Sequence, residues 1–172
     1  TNGLGTTFAR GNIFVGQGSG GTGGALNSVL DLSGLDTFDA DVNHILLGDG
    51  GIAGFFINRP VGTIYFARTN NLRLWAVGNH PSAGGNANGG LLTGISAQNG
   101  DSSRFGRYIL GYTNVILCNS GITFGSRGFG GWLGFNSSNA PGESYAYFRN
   151  LANSGRKTRW SIADRTGAGD GA

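Results

Sequence analysis

Short apolar runs recur along this chain, with Gly, Asn, Asp or Pro between them. They fall at 11–16, 42–47, 52–58, 72–77, 91–97, 108–112 and 114–118. Runs this short, bounded by turn residues, are strands rather than helices. The polar residues agree. Met is absent, Lys157 is the single Lys and Glu143 the single Glu, so the side chains that favour long exposed helices are nearly missing. Only 25–35, with Leu26, Val29, Leu30, Leu32 and Leu35, leaves a short helix competing with a strand. Glycine, at 35 of 172 residues, supplies turns and close backbone approach. Eleven Phe, five Tyr and three Trp give the chain a core that a disordered Gly-rich linker lacks. The expected fold is all-β: a Gly-rich antiparallel sandwich or prism of short strands and hairpins.

A duplicated segment sharpens the hairpin expectation. Tyr65-Phe66-Ala67-Arg68 leads through Thr69-Asn70-Asn71 into Leu72-Arg73-Leu74-Trp75-Ala76-Val77. Tyr147-Phe148-Arg149-Asn150 leads through a longer loop into Arg159-Trp160-Ser161-Ile162. Aligning Trp75 with Trp160 gives two copies of one β-hairpin with a variable turn. Period two puts Leu72, Leu74 and Ala76 on one face and Arg73, Trp75 and Val77 on the other, a strand covered on both sides with both tryptophans in packing.

Residues 79–90 carry no hydrophobic anchor. They separate an N-terminal β half (1–78) from a C-terminal one (91–172), as a linker or as a long loop within a single domain 1–172. Charged residues make up only 12%, and a surface so poor in charge favours burial against copies of the same chain. The formal charge is only +3; five of the twelve cations, Arg149, Arg156, Lys157, Arg159 and Arg165, fall in the last quarter, without a basic run or a nucleic-acid module, so no nucleic-acid partner is expected. No run of apolar residues is long enough for a membrane-spanning helix, and no membrane partner is expected. Cys118 stands alone, which excludes an intramolecular disulfide and favours a buried core thiol.

No constellation resembles a reaction centre, and no catalytic residue, metal or cofactor is expected. Gly16-Gln17-Gly18-Ser19-Gly20-Gly21 fits G-x-G-x-x-G, but no helix follows to hold a pyrophosphate. Asp36, Asp39 and Asp41 read as a solvated turn before a strand over 42–47, with a carboxylate pair for glycoside hydrolysis as the sharper alternative. His44 and His80 lack a nucleophile elbow to complete a triad. For ligand binding, the aromatic faces of Phe129, Trp132 and Tyr112 are the candidates for stacking on a glycan.

The segment Tyr147-Phe148 … Arg159-Trp160-Ser161-Ile162-Ala163-Asp164 … Gly167 resembles a pattern of bacteriophage tail fibres, tailspikes and other virion appendage proteins: Arg-Trp on a strand, an aliphatic residue, then a polar Gly-rich continuation. The first copy departs from it, since Trp75 follows Leu74. The resemblance implies a homotrimeric, β-rich component on the virion, at the tail or the capsid surface. As implied, it is non-enzymatic, bound to itself and to other virion proteins, and attached to a host cell-surface polysaccharide. A capsid decoration or head fibre protein is one alternative. A polysaccharide-degrading tailspike domain, with Asp36, Asp39, Asp41 or Glu143 as its carboxylates, is another.

Overall fold

The computed structural model describes residues 10–17, 27–49, 61–76, 91–93, 105–119, 121–126, 130–139, 142–155 and 160–164. These hold thirteen strands and no helix. In chain order they are β1 (Ile13–Gln17), β2 (Asn27–Asp31), β3 (Thr37–Val42), β4 (Ile45–Asp49), β5 (Val61–Tyr65), β6 (Thr69–Leu74) and β7 (Leu91–Thr93), followed by β8 (Phe105–Leu110), β9 (Thr113–Cys118), β10 (Ile122–Ser126), β11 (Gly130–Phe135), β12 (Tyr145–Asn150) and β13 (Trp160–Asp164).

Every third strand belongs to the same sheet. Sheet A runs β1-β4-β7-β10-β13, sheet B runs β2-β5-β8-β11, and sheet C runs β3-β6-β9-β12. Every pairing is parallel. The chain is thus a three-sided parallel β-solenoid, four full coils and the first strand of a fifth. Each circuit stacks on the one before it. The all-β expectation holds; the antiparallel arrangement does not. β4 pairs with β7, β5 with β8 and β6 with β9, so all three sheets continue from before residues 79–90 to after them. Residues 52–58 and 79–90 lie outside the described residues, as does the glycine run beyond Gln17.

The duplicated hairpin is also corrected. β5 and β6 are joined by three residues, yet one lies in sheet B and the other in sheet C. A two- or three-residue hairpin needs a residue at positive φ to fold a strand back on its predecessor. Among the described residues positive φ occurs only at Gly16, Gly48, Gly142 and Asn153, so 66–68 turns a corner instead. The second copy spans a different corner, from β12 in sheet C to β13 in sheet A. The two segments are similar in sequence and unrelated in position on the coil.

Glycine shapes the corner between sheets A and B. Gly16 and Gly48 interrupt β1 and β4 at φ 74° and 67°, one above the other between paired residues. At the start of sheet B, Gly62, Gly106 and Gly131 stack in one column under Ser28. A Cβ on Gly62 would collide with the carbonyl oxygen of Val15 and lie 2.8 Å from the Gly48 nitrogen, so sheets A and B meet backbone to backbone there.

Inward residues form columns along the axis. Leu72 and Ile116 stack, as do Leu74 and Cys118, all buried. Ile64 and Tyr108 do the same from sheet B, and the Tyr108 hydroxyl donates to the Ile45 carbonyl at 2.6 Å. Phe66 stacks on Tyr108 with centroids 6.3 Å apart and reaches Phe38 at 6.2 Å. The Cys118 thiol is buried.

One inward column is polar. Asn70 and Asn114 occupy the same position in successive coils and are fully buried. Asn70 Nδ2 donates to Asn114 Oδ1 at 2.8 Å and to the Ala67 carbonyl at 2.7 Å. Asn114 Nδ2 donates to the carbonyls of Gly111 (2.9 Å) and Tyr145 (3.1 Å). The ladder therefore satisfies corner carbonyls that the turn takes out of the sheet. It stops at Phe38 and Ala146, the neighbouring rungs, leaving Asn70 Oδ1 buried without a partner.

Of the 25–35 segment, the described residues 27–35 form β2 and a turn, not a helix. Ser33 donates to Asp31 Oδ1 through its hydroxyl (2.6 Å) and its backbone nitrogen (2.9 Å). Both bonds favour the ionised carboxylate, so Asp31 titrates below its ordinary value, the hydroxyl bond first and the amide bond second. A depressed folded-state value stabilises the fold above the unfolded carboxylate range, and that contribution is lost as pH falls through the lowered value. In Ser33→Ala the Asp31 carboxyl is expected to titrate at higher pH, followed by carbon-detected NMR. An unmoved midpoint would show that the turn does not set it.

Candidate functional site

Alternation along sheet C sends one set of residues outward. In β3 these are Thr37, Asp39 and Asp41; in β6, Thr69, Asn71 and Arg73; in β9, Thr113, Val115 and Leu117; in β12, Tyr145, Tyr147 and Arg149. Three registers cross the sheet: a threonine row ending at Tyr145, then Asp39-Asn71-Val115-Tyr147, then Asp41-Arg73-Leu117-Arg149. Asp39 and Asp41 therefore stand in a strand on one face, not in the solvated turn expected of them.

A groove of about 430 Å³ runs over this face, with Asp39, Asp41, Asn71 and Arg73 on one side, Val115 and Leu117 beneath, and Asn153 at the far end. Asn153 belongs to the turn after β12 and sits at φ 56°, a left-handed conformation that Asn tolerates better than most residues. Its Oδ1 accepts from the Arg149 guanidinium at 3.2 Å. That guanidinium lies 5.2 Å from the Tyr147 ring, and Tyr147 meets Tyr145 edge-on at 5.2 Å. Both tyrosines are nearly half exposed.

The carboxylates are committed as acceptors. Asp39 Oδ1 takes the Asn71 amide at 2.7 Å. Asp41 pairs with Arg10, which also lies over the Trp75 ring at 3.9 Å. Trp75 is thus half-buried under an arginine at the edge of the solenoid, not a core residue, and the strand carrying it is covered on its inner side only. The ion pair is exposed on both sides and contributes at most about 1 kcal/mol. Among the described residues it is the one ion pair, so Arg73 and Arg149 carry charge with no acidic partner there.

No protein-family model matches the chain, nor does any curated protein or solved structure. The site rests on its geometry.

The expected stacking residues are placed apart. Trp132 lies on the outer face of sheet B, 44% exposed, its indole flat over Gly134, where a Cβ would strike it. Tyr112 sits at the corner between sheets B and C with the Arg68 guanidinium 5.2 Å over its ring. Phe129 lies outside the described residues. Of the four carboxylates, Asp39 and Asp41 come together, about 7 Å apart along the strand. Asp36 occupies the corner before β3 and Glu143 the exposed loop before β12, at the opposite edge of the sheet.

Arg73, Asn71, Tyr145, Tyr147, Arg149 and Asn153 were not singled out as ligand-binding residues from sequence. A signal existed: 61–70 and 105–114 share a glycine at the second position and close on Thr-Asn. That alignment stacks Arg73 over Leu117 and Asn71 over Val115, which gathers the outward residues of β6 and β9 but not those of β12.

Proposed function

We propose that this chain is a non-enzymatic structural protein of a phage virion, a tail fibre or receptor-binding appendage, that assembles with copies of itself and attaches to a host surface glycan. The groove on sheet C carries the attachment half of this reading. Its lining comes from β3, β6 and β9, strands of three successive coils, so an extended polymer lying along the stacking direction can cross them. Carboxylate and amide groups for hydroxyl recognition line the groove, and a pair of tyrosine rings for stacking stands beside it on β12, the strand next to Val115. The virion half rests on the Arg159-Trp160 resemblance. Self-association is supported by Val29 and Trp132, 63% and 44% accessible at the two ends of one outward column of sheet B, with Thr63 and Arg107 between them.

Titration calorimetry with purified bacterial surface polysaccharides tests the attachment. Binding is expected, and Tyr147→Ala is expected to weaken it roughly fivefold, the scale of one aromatic contact. Undiminished affinity in that variant would remove the groove from the interaction. Light scattering at micromolar concentration is expected to give a multiple of the 17.7 kDa chain mass; a monomer would end the self-assembly reading.

Polysaccharide cleavage is the second reading, because Asp39 and Asp41 share one face at a spacing close to that of an inverting carboxylate pair. Release of reducing ends from a bound polysaccharide, abolished in Asp39→Asn, would establish it in place of simple attachment.

A further inference from the structure

We infer that the outer face of sheet C takes an acidic polysaccharide, one bearing carboxylate or sulfate groups, lying along the solenoid axis with its anions on Arg73, which lines the groove, and on Arg149, beside the groove on β12. This rests on the glycan-attachment reading and names the class of glycan. Arg73 and Arg149 share one register, on β6 and β12, with Leu117 of β9 between them. Strands stack about 4.8 Å apart, so their backbones stand roughly 10 Å apart along the axis. Anions carried at intervals along an extended chain can meet both.

The charges on this face favour an anion. Asp41 is neutralised by Arg10, and Asp39 is occupied by the Asn71 amide. Arg73 and Arg149 are left with no acidic partner among the described residues. Two carboxylates against three guanidiniums leave the face net positive, and its positive end coincides with the stacking end. Arg149 is already oriented by Asn153 and by the Tyr147 ring, so little freedom is lost when it binds. Leu117, outward by register yet only 6% exposed, floors the space between the two arginines and limits competing water contacts.

The test uses the whole chain and defined probes: oligogalacturonate for carboxylates, a heparin-derived oligosaccharide for sulfates, dextran oligomers of matched length as the neutral arm, and a single-stranded oligonucleotide. Expected is binding to one or both acidic sugars that weakens as salt rises, each of Arg73→Gln and Arg149→Gln costing roughly fivefold in affinity. Arg149→Lys should restore part of the loss. Equal binding of dextran, or unchanged affinity in both Gln variants, would overturn the inference while leaving a glycan groove standing. Tighter binding of the oligonucleotide would overturn it in favour of nucleic acid. Failure of all four probes and of the surface polysaccharides would overturn the attachment reading as well.

Discussion

Gly111→Ala is expected to destabilise the fold on the order of 4 kcal/mol, near the upper end for single substitutions. A Cβ at this position runs into the carbonyl oxygen of Ala67 in the coil below, with the Ala67 carbonyl carbon and the Arg68 oxygen each 2.9 Å away. All three atoms are backbone, so no side-chain rotation relieves the clash. The corner must open, and with it the adjoining backbone bonds from Phe66 to Ile109 (2.8 Å) and from Thr113 to Arg68 (3.0 Å). Urea denaturation measures the loss. Gly34→Ala is the control: nothing lies within 4 Å of its Cβ, and a change within about 0.5 kcal/mol is expected. Equal midpoints for the two variants would refute the claim that coils stack backbone to backbone at this corner.

Asn114→Ala is expected to lower stability by about 3 kcal/mol, because it leaves buried carbonyls without donors. Asn114 holds the Gly111 and Tyr145 carbonyls and accepts from Asn70, tying three successive coils together from a side chain with no exposed surface. For a chain of this length that corresponds to roughly 10 °C in melting temperature. The double substitution Asn70→Ala with Asn114→Ala should cost less than the sum of the singles, since the two share one bond. Strict additivity in calorimetric melts would mean that the ladder is two independent turns.

Both effects sit at the corner between sheets B and C, and that corner is where sequence reasoning met its limit. The alternation of Leu72, Leu74 and Ala76 correctly gives the buried face of β6 and its neighbouring turn. The strands at 13–17, 105–110 and 113–118 fall close to the expected runs. Reading 62–78 as a hairpin fails because a short loop between two strands leaves two outcomes open. The chain folds back when φ turns positive; it turns a corner when side chains such as Asn70 take over the freed carbonyls. Nothing in Phe66-Ala67-Arg68 taken alone chooses between these. The repeat that does choose was present in the sequence. Ile13-Phe14-Val15-Gly16 and Ile45-Leu46-Leu47-Gly48 match, as do 61–70 and 105–114, but at unequal spacings that hide them from a fixed-period search.

The candidate site shows the same division. Asp39 and Asp41 stood out in the sequence as a carboxylate pair. Arg73 and Arg149, 76 positions apart, could be joined only once β6, β9 and β12 were known to stack in register. Legible from the sequence were the all-β character of the described residues, glycine at points of close backbone approach, and the buried side of β6. These follow from local sterics and from period-two alternation, which need only neighbouring residues. The tertiary structure alone decided that the strands run parallel in three sheets and that one outward face gathers acid, base and tyrosine. Those depend on which strand lies one full circuit away, a pairing fixed by the interior columns and corner contacts rather than by the residues in any one turn.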